Sequence, residues 1–134
     1  MMKTILMNVA AEATYLPEQS STDHQRFLWA YEITLSNESD ETVQLLNRYW
    51  RITEMTGRLE EVRGPGVIGL QPVIKPRKSF TYTSFCQLST SQGAMEGHYE
   101  MQTLEEEARF LVQIPKFILA LPAAVSAGIR ARLH

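Results

Sequence analysis

The sequence predicts an all-β fold, a mainly antiparallel sandwich of seven or more short strands with little helix, and three observations carry that expectation. Apolar residues recur with a period of two in one segment after another. Short polar or glycine-containing breaks separate the segments. No helical stretch of the kind that links parallel strands lies between them. The chain has 134 residues, enough for one domain with a sizeable core and too few for most multi-domain enzymes. A single domain over 1–134 is therefore expected, with its core at about 5–122 and a tail at 123–134.

Met7, Val9, Ala11, Ala13 and Tyr15 alternate with polar or small neighbours, and Phe27, Trp29, Tyr31, Ile33 and Leu35 do so more strongly. Each set reads as a strand with one buried face. The polar run 17–23 and the segment Ser36 to Glu41 supply turns. From Val43 to Ile52 the apolar parity shifts, from Val43 and Leu45 to Leu46, Trp50 and Ile52, which predicts a bulge near Leu45 and Leu46. Met55-Thr56-Gly57-Arg58 reads as a hairpin turn leading to a short strand, Leu59 to Arg63, and then to the glycine-rich 64–69. Further strands are expected at Ser79 to Phe85, Gly97 to Thr103, Arg109 to Ile114 and Lys116 to Leu121. Pro115 interrupts the last two and marks an edge, a bulge or a strand that changes sheet. The alanine-rich Ala123 to His134 is the one place where a turn or two of helix is expected.

The formal net charge of -2 excludes a chain whose main task is to coat nucleic acid or anionic lipid. The charge is unevenly spread. Residues 48–78 hold seven Lys/Arg against Glu54, Glu60 and Glu61, a local surplus of +4, which leaves -6 for the rest. The single cysteine, Cys86, cannot form an intramolecular disulfide, so the core must hold the fold, in what is expected to be the reducing cytoplasm. The first residues lack the apolar length of a secretory leader, and the longest apolar stretch, 117–125, is broken by Pro122 and too short to span a membrane.

Few patterns carry chemistry. Gly64-x-Gly66-x-x-Gly69 matches a dinucleotide-binding fingerprint in letters, but that turn must open into a helix, and Pro72 and Pro76 follow too closely. The glycines read first as tight turns or close backbone approaches. A second reading has their N–H groups, with Arg63, Lys75, Arg77 and Lys78 near in sequence, attract phosphate or pyrophosphate, or an acidic patch on a protein partner. Glu96, His98 and Glu100 share one face of a strand and are the only metal candidates, but alternate strand residues converge poorly on an ion, so they read as a solvated face. Cys86 lies in an apolar strand end with no histidine nearby, and Glu105-Glu106-Glu107 reads as a solvated turn, so no catalytic group and no cofactor is expected. Trp29, Tyr31, Tyr49 and Trp50 read as core, with the proviso that an exposed member would make a binding anchor.

Longer blocks resemble a known family. Phe27 to Asn37, Val43 to Thr53, Gly57-Arg58, Glu61 to Pro72, Tyr82-Thr83-Ser84, Met95 to Met101 and Ile114 to Phe117 are similar to the sequence of the ApaG family over about residues 5–122. The resemblance implies a fibronectin type III-like, immunoglobulin-like β-sandwich in a small bacterial protein. It also implies protein–protein binding and an association with cobalt resistance and magnesium efflux. Lys75-Pro76-Arg77-Lys78 is more basic than the turn usual at that place in the family. The expectation at this point is a non-enzymatic interaction module that presents Arg63 to Lys78 to a protein partner, with a small-anion site at Gly64 to Gly69 as the alternative. Pairing of edge strands between molecules is open.

Overall fold

The computed structural model describes residues 5–122, and the helical turn expected in 123–134 lies outside them. Eight strands follow in order: β1 (Met7–Tyr15), β2 (Phe27–Asn37), β3 (Val43–Glu54), β4 (Leu59–Pro65), β5 (Val73–Ile74), β6 (Ser79–Leu88), β7 (Gly93–Thr103) and β8 (Arg109–Leu119). A single turn of 3-10 helix, Pro17–Gln19, sits in the polar run after β1. All pairings are antiparallel. One sheet has the order β1-β2-β6; the other has β4-β3-β7-β8, with β5 on β3 beside β4. The expected sandwich is thus present, and no helix of the described residues is long and apolar enough to cross a membrane.

The period-two residues fill the space between the sheets. Trp29, Ile33, Leu35, Val43, Leu45, Met95, Tyr99, Met101 and Leu119 are all buried. Burying a large aliphatic or aromatic side chain stabilises by roughly 1.5–3 kcal/mol, so these strands hold together through their inner faces. Polar atoms inside are paired. The Trp29 indole N–H donates to Ala120 O at 3.0 Å, and the hydroxyls of Tyr82 and Tyr99 bond at 2.5 Å. Tyr31 and Trp50 meet edge to face at 5.4 Å, and Phe117 closes the cluster 5.9 Å from Trp50.

Two bulges set which residues face outward. The β3–β7 register shifts between Leu45 and Asn47, where the parity change predicts it, and turns Asn47, Tyr49 and Arg51 to the outer face. Beside Pro115 the expected pair of strands is instead one continuous β8. Its register with β7 shifts between Met95 and Gly97, so that Pro115 and Lys116 together oppose Glu96. β8 is an edge strand, and a bulge there tolerates a residue without an N–H.

Candidate functional site

The 55–58 hairpin forms as expected. Glu54 N–H donates to Arg58 O at 2.9 Å, Gly57 takes φ 90, and the register then puts Arg63 opposite Tyr49. On its other side Tyr49 is opposite His98. Three neighbouring strands therefore carry Arg63, Tyr49 and His98 in one row on the outer face of the larger sheet. The three side chains stack: the Arg63 guanidinium carbon lies 4.3 Å from the Tyr49 ring centre, and the Tyr49 and His98 rings are 4.9 Å apart at 29°. Such a cation–aromatic contact contributes roughly 0.5–1 kcal/mol at an exposed site.

The Glu61 carboxylate fixes the column at Tyr49 and Arg63. The Tyr49 hydroxyl donates to Glu61 Oε2 at 2.7 Å, and Arg63 Nη2 reaches the same oxygen at 3.5 Å. The bond to Glu61, which needs the phenolic proton, raises the Tyr49 pKa above its ordinary value. In the next row Asn47 Nδ2 donates to Glu100 Oε1 at 2.7 Å, and Arg109 lies 3.3 Å from that oxygen. The column and this row line an open depression of about 420 Å³ together with Gly64, Pro65 and Leu111.

The glycine motif lies at the end of β4 and is shaped by Arg48. This arginine is opposite Gly64, and its Nη1 donates to Pro65 O at 2.9 Å and Gly66 O at 3.0 Å. A Cβ on Gly64 would stand 3.0 Å from both guanidinium nitrogens, and one on Gly66, where φ is 61, would stand 2.1 Å from Leu70 O. Val67, buried, anchors the loop in the core, and Val67 and Leu70 exchange both backbone hydrogen bonds at 2.8 Å. That exchange closes a two-residue turn in which Ile68 (φ 44) and Gly69 (φ 78) both have the left-handed backbone of a type I′ turn. The tip exposes Ile68 at 56% and Leu70 at 50%. The motif leads into β5 rather than a helix. The N–H groups of Gly66, Val67 and Leu70 are donated to backbone carbonyls.

The structure divides the basic segment that the sequence joins. Arg63 and Gly64 belong to the depression, and Gly66 and Gly69 to the adjoining tip. Lys75 and Arg77 lie in the turn after β5, which pairs with the start of β3 at Val43, six residues from Tyr49 or about 20 Å along the strand. There Arg77 holds the β2–β3 link: Nη1 donates to Glu38 O at 2.6 Å and Ser39 O at 2.8 Å, and Nη2 to Asp40 Oδ1 at 2.8 Å. The buried Asn37 anchors the same corner, donating to Glu41 O at 2.7 Å and Ile74 O at 3.0 Å and accepting from Ser39 N and Oγ.

Glu96, His98 and Glu100 do share one face of β7, but His98 packs on Tyr49 and Glu100 is engaged by Asn47 and Arg109. Among the described residues no group of three or more His, Cys, Asp or Glu is arranged to hold a metal ion. Cys86 is buried, and burial pushes its thiol up to about 12. Of the four aromatics read as core, Trp29, Tyr31 and Trp50 are buried; Tyr49 is the exception, turned outward by the β3 bulge. Its pairing with Arg63 was readable from the hairpin turn. Its pairing with His98, 49 positions away, had no local signal.

Comparison with known proteins fits this architecture. The sequence pattern of the ApaG domain matches residues 17–103. Protein ApaG of Parvibaculum lavamentivorans is 48% identical over 118 residues, covering 88% of this chain and 90% of its own. Protein ApaG of Mesorhizobium japonicum is 48% identical over 124 residues, covering 91% and 95%. The crystal structure of a Bordetella pertussis protein superposes with a TM-score of 0.86 at 37% identity, over 92% of this chain and 99% of that one. The chain belongs to the ApaG family.

Proposed function

We propose that this chain is a non-enzymatic recognition module that binds a protein partner through the Arg63–Tyr49–His98 column and the glycine-loop tip beside it. The observation that carries the reading is the column itself. Tyrosine and arginine dominate the energetics of protein interfaces, and here they are stacked on a rigid sheet and pinned by Glu61, so little side-chain freedom remains to be lost on binding. Exposed Leu111 at one side and Ile68 and Leu70 at the other add apolar contact area around it.

The small-anion alternative draws less support. The N–H groups of Val67 and Leu70 already serve the loop's own backbone, that of Gly66 donates to Leu46 O on β3, and Nη1 of Arg48 is engaged by carbonyls. Lys75 and Arg77 lie too far along β3 to share an anion with Arg63. In the interaction reading, the family's association with cobalt resistance and magnesium efflux runs through the partner.

Affinity capture from native bacterial lysate with the wild-type chain and with Arg63→Glu tests the proposal. A partner held by the wild type and lost by the variant, at equal thermal stability, is the expected result; identical captured proteins would overturn it. Titration with pyrophosphate should leave the Gly64–Gly69 amide signals in place, and saturable shifts there would favour the anion reading instead.

A further inference from the structure

β4 and β6 are edge strands of different sheets and do not pair with each other, so the sandwich is open between them, whereas on its other side β1 lies against β8. Along β4, Glu61 and Arg63 belong to the outer face with the column. Glu60, Val62 and Gly64 alternate with them and stand opposite Ile52, Trp50 and Arg48 of β3. The gap on this inner side is a cleft of about 380 Å³, which is within the range of small-molecule sites. The buried rings of Tyr31 and Trp50, edge to face at 5.4 Å, form its floor with Met95. Val62 lines it from β4 and Ser84 from β6.

Two charged residues border the cleft. Glu60 is at one end, where Glu54 and Arg58 also gather. Arg48 is at the other, four residues along β3 from the partner of Glu60, or about 13 Å. Arg48 is half-buried, and its side-chain hydrogen bonds among the described residues run only from Nη1 to the carbonyls of Pro65 and Gly66, which leave its charge uncompensated. Arg63, Arg77 and Arg109 each have a carboxylate within 3.5 Å. Among the described residues Arg48 pairs with none. Burial raises the pKa of the Tyr31, Tyr82 and Tyr99 hydroxyls, the Arg48 charge opposes that rise in all three, and no carboxylate acts on them. The inner end of the cleft is therefore positive.

We propose that the cleft between β4 and β6 binds a small aromatic monocarboxylate, its ring on Trp50 and Tyr31 between Val62 and Ser84 and its carboxylate on Arg48. A guanidinium already held by Nη1 is oriented before the ligand arrives, and Nη2 is left to receive a carboxylate oxygen. Aromatic rings in the floor favour an aromatic body, which they can meet edge to face. Glu60 at the far end repels a second negative charge and so selects against dicarboxylates. The cleft and the column lie on opposite faces of the larger sheet, so this site stands apart from the partner-binding reading.

NMR titration of the full chain with hydrocinnamate, and with the alcohol of the same skeleton, tests the proposal. Hydrocinnamate at millimolar concentration should give saturable shifts of the Trp50 indole N–H and of the Val62 and Ser84 amides, and the alcohol should bind about tenfold or more weakly. Arg48→Gln should bring acid and alcohol to equal affinity. Val62→Trp, which leaves Arg48 and its two carbonyls in place, should abolish the binding of both. Arg63→Glu should leave it unchanged, so loss of partner capture and loss of this site are read separately. Absence of saturable shifts, equal affinity of the unaltered chain for acid and alcohol, or shifts confined to His98 and Leu111 on the outer face would overturn the proposal.

Discussion

Arg48 lies across Gly64: its two terminal guanidinium nitrogens each stand 3.0 Å from the place a Cβ on that residue would occupy, while Nη1 clamps the carbonyls of Pro65 and Gly66. A side chain on this first glycine of the motif would make the Arg48 guanidinium give by a few tenths of an ångström against its hold on the two carbonyls. Gly64→Ala should destabilise the fold by about 1–3 kcal/mol, the usual range for overpacking. In an Arg48→Ala background the same substitution should cost clearly less, because the obstruction is gone. Urea denaturation of the four chains measures the coupling, and additive effects would contradict it.

Ile68 holds backbone strain in the same loop. A β-branched residue at φ 44 is held in a conformation that costs an L-residue roughly 1–2 kcal/mol, and its side chain is exposed, so packing does not repay the strain. Ile68→Asn should raise stability by about 1 kcal/mol. If the tip contributes to recognition, the same variant should capture the partner less well. A stabilised variant with undiminished capture would remove the tip from the interface.

Asn37 is the polar knot of the corner that Arg77 closes. Its side chain makes four hydrogen bonds in a buried position, and Asn37→Ala leaves the carbonyls of Glu41 and Ile74 and the donors of Ser39 without them. A loss of about 2–4 kcal/mol in chemical denaturation is expected. Arg77→Glu should also destabilise this corner, and its effect on partner capture at low temperature should be small.

The pH dependence follows from buried acids that stay protonated. Burial raises Cys86 from 9.0 to about 12, and burial likewise raises Tyr31, Tyr82 and Tyr99. Each group holds its proton more tightly in the folded state, so its contribution is fully present below the unfolded pKa and is lost as pH rises toward the folded one. Stability should hold up to about pH 9 and fall from there toward pH 12. At pH 8 Cys86 should resist iodoacetamide in the native chain and react fully in urea; rapid native labelling would contradict its burial.

The strands were legible because a buried face writes its period into the sequence, and the parity change at Leu45 and Leu46 revealed even the β3 bulge. Pro115 was ambiguous by nature: a missing N–H permits a break or a bulge, and only the edge position of β8 and its pairing with Glu96 resolve it. The basic segment misled for a similar reason. Arg63 and Arg77 are near in sequence, but β5 returns to the far end of β3, so the chain carries them to different corners. His98 entered the sequence reading as a metal candidate, and its place on Tyr49 depends on a pairing that no local pattern announces.

Recognition of a partner through the Arg63–Tyr49–His98 column is open to a direct test. Quantitative affinity capture from native lysate, with wild-type chain, Tyr49→Ala and Arg63→Glu compared by mass spectrometry, tests it most directly. Recovery of the partner should fall at least tenfold with either variant while their unfolding midpoints stay close to that of the wild type. Equal recovery of every captured protein by all three chains would contradict it.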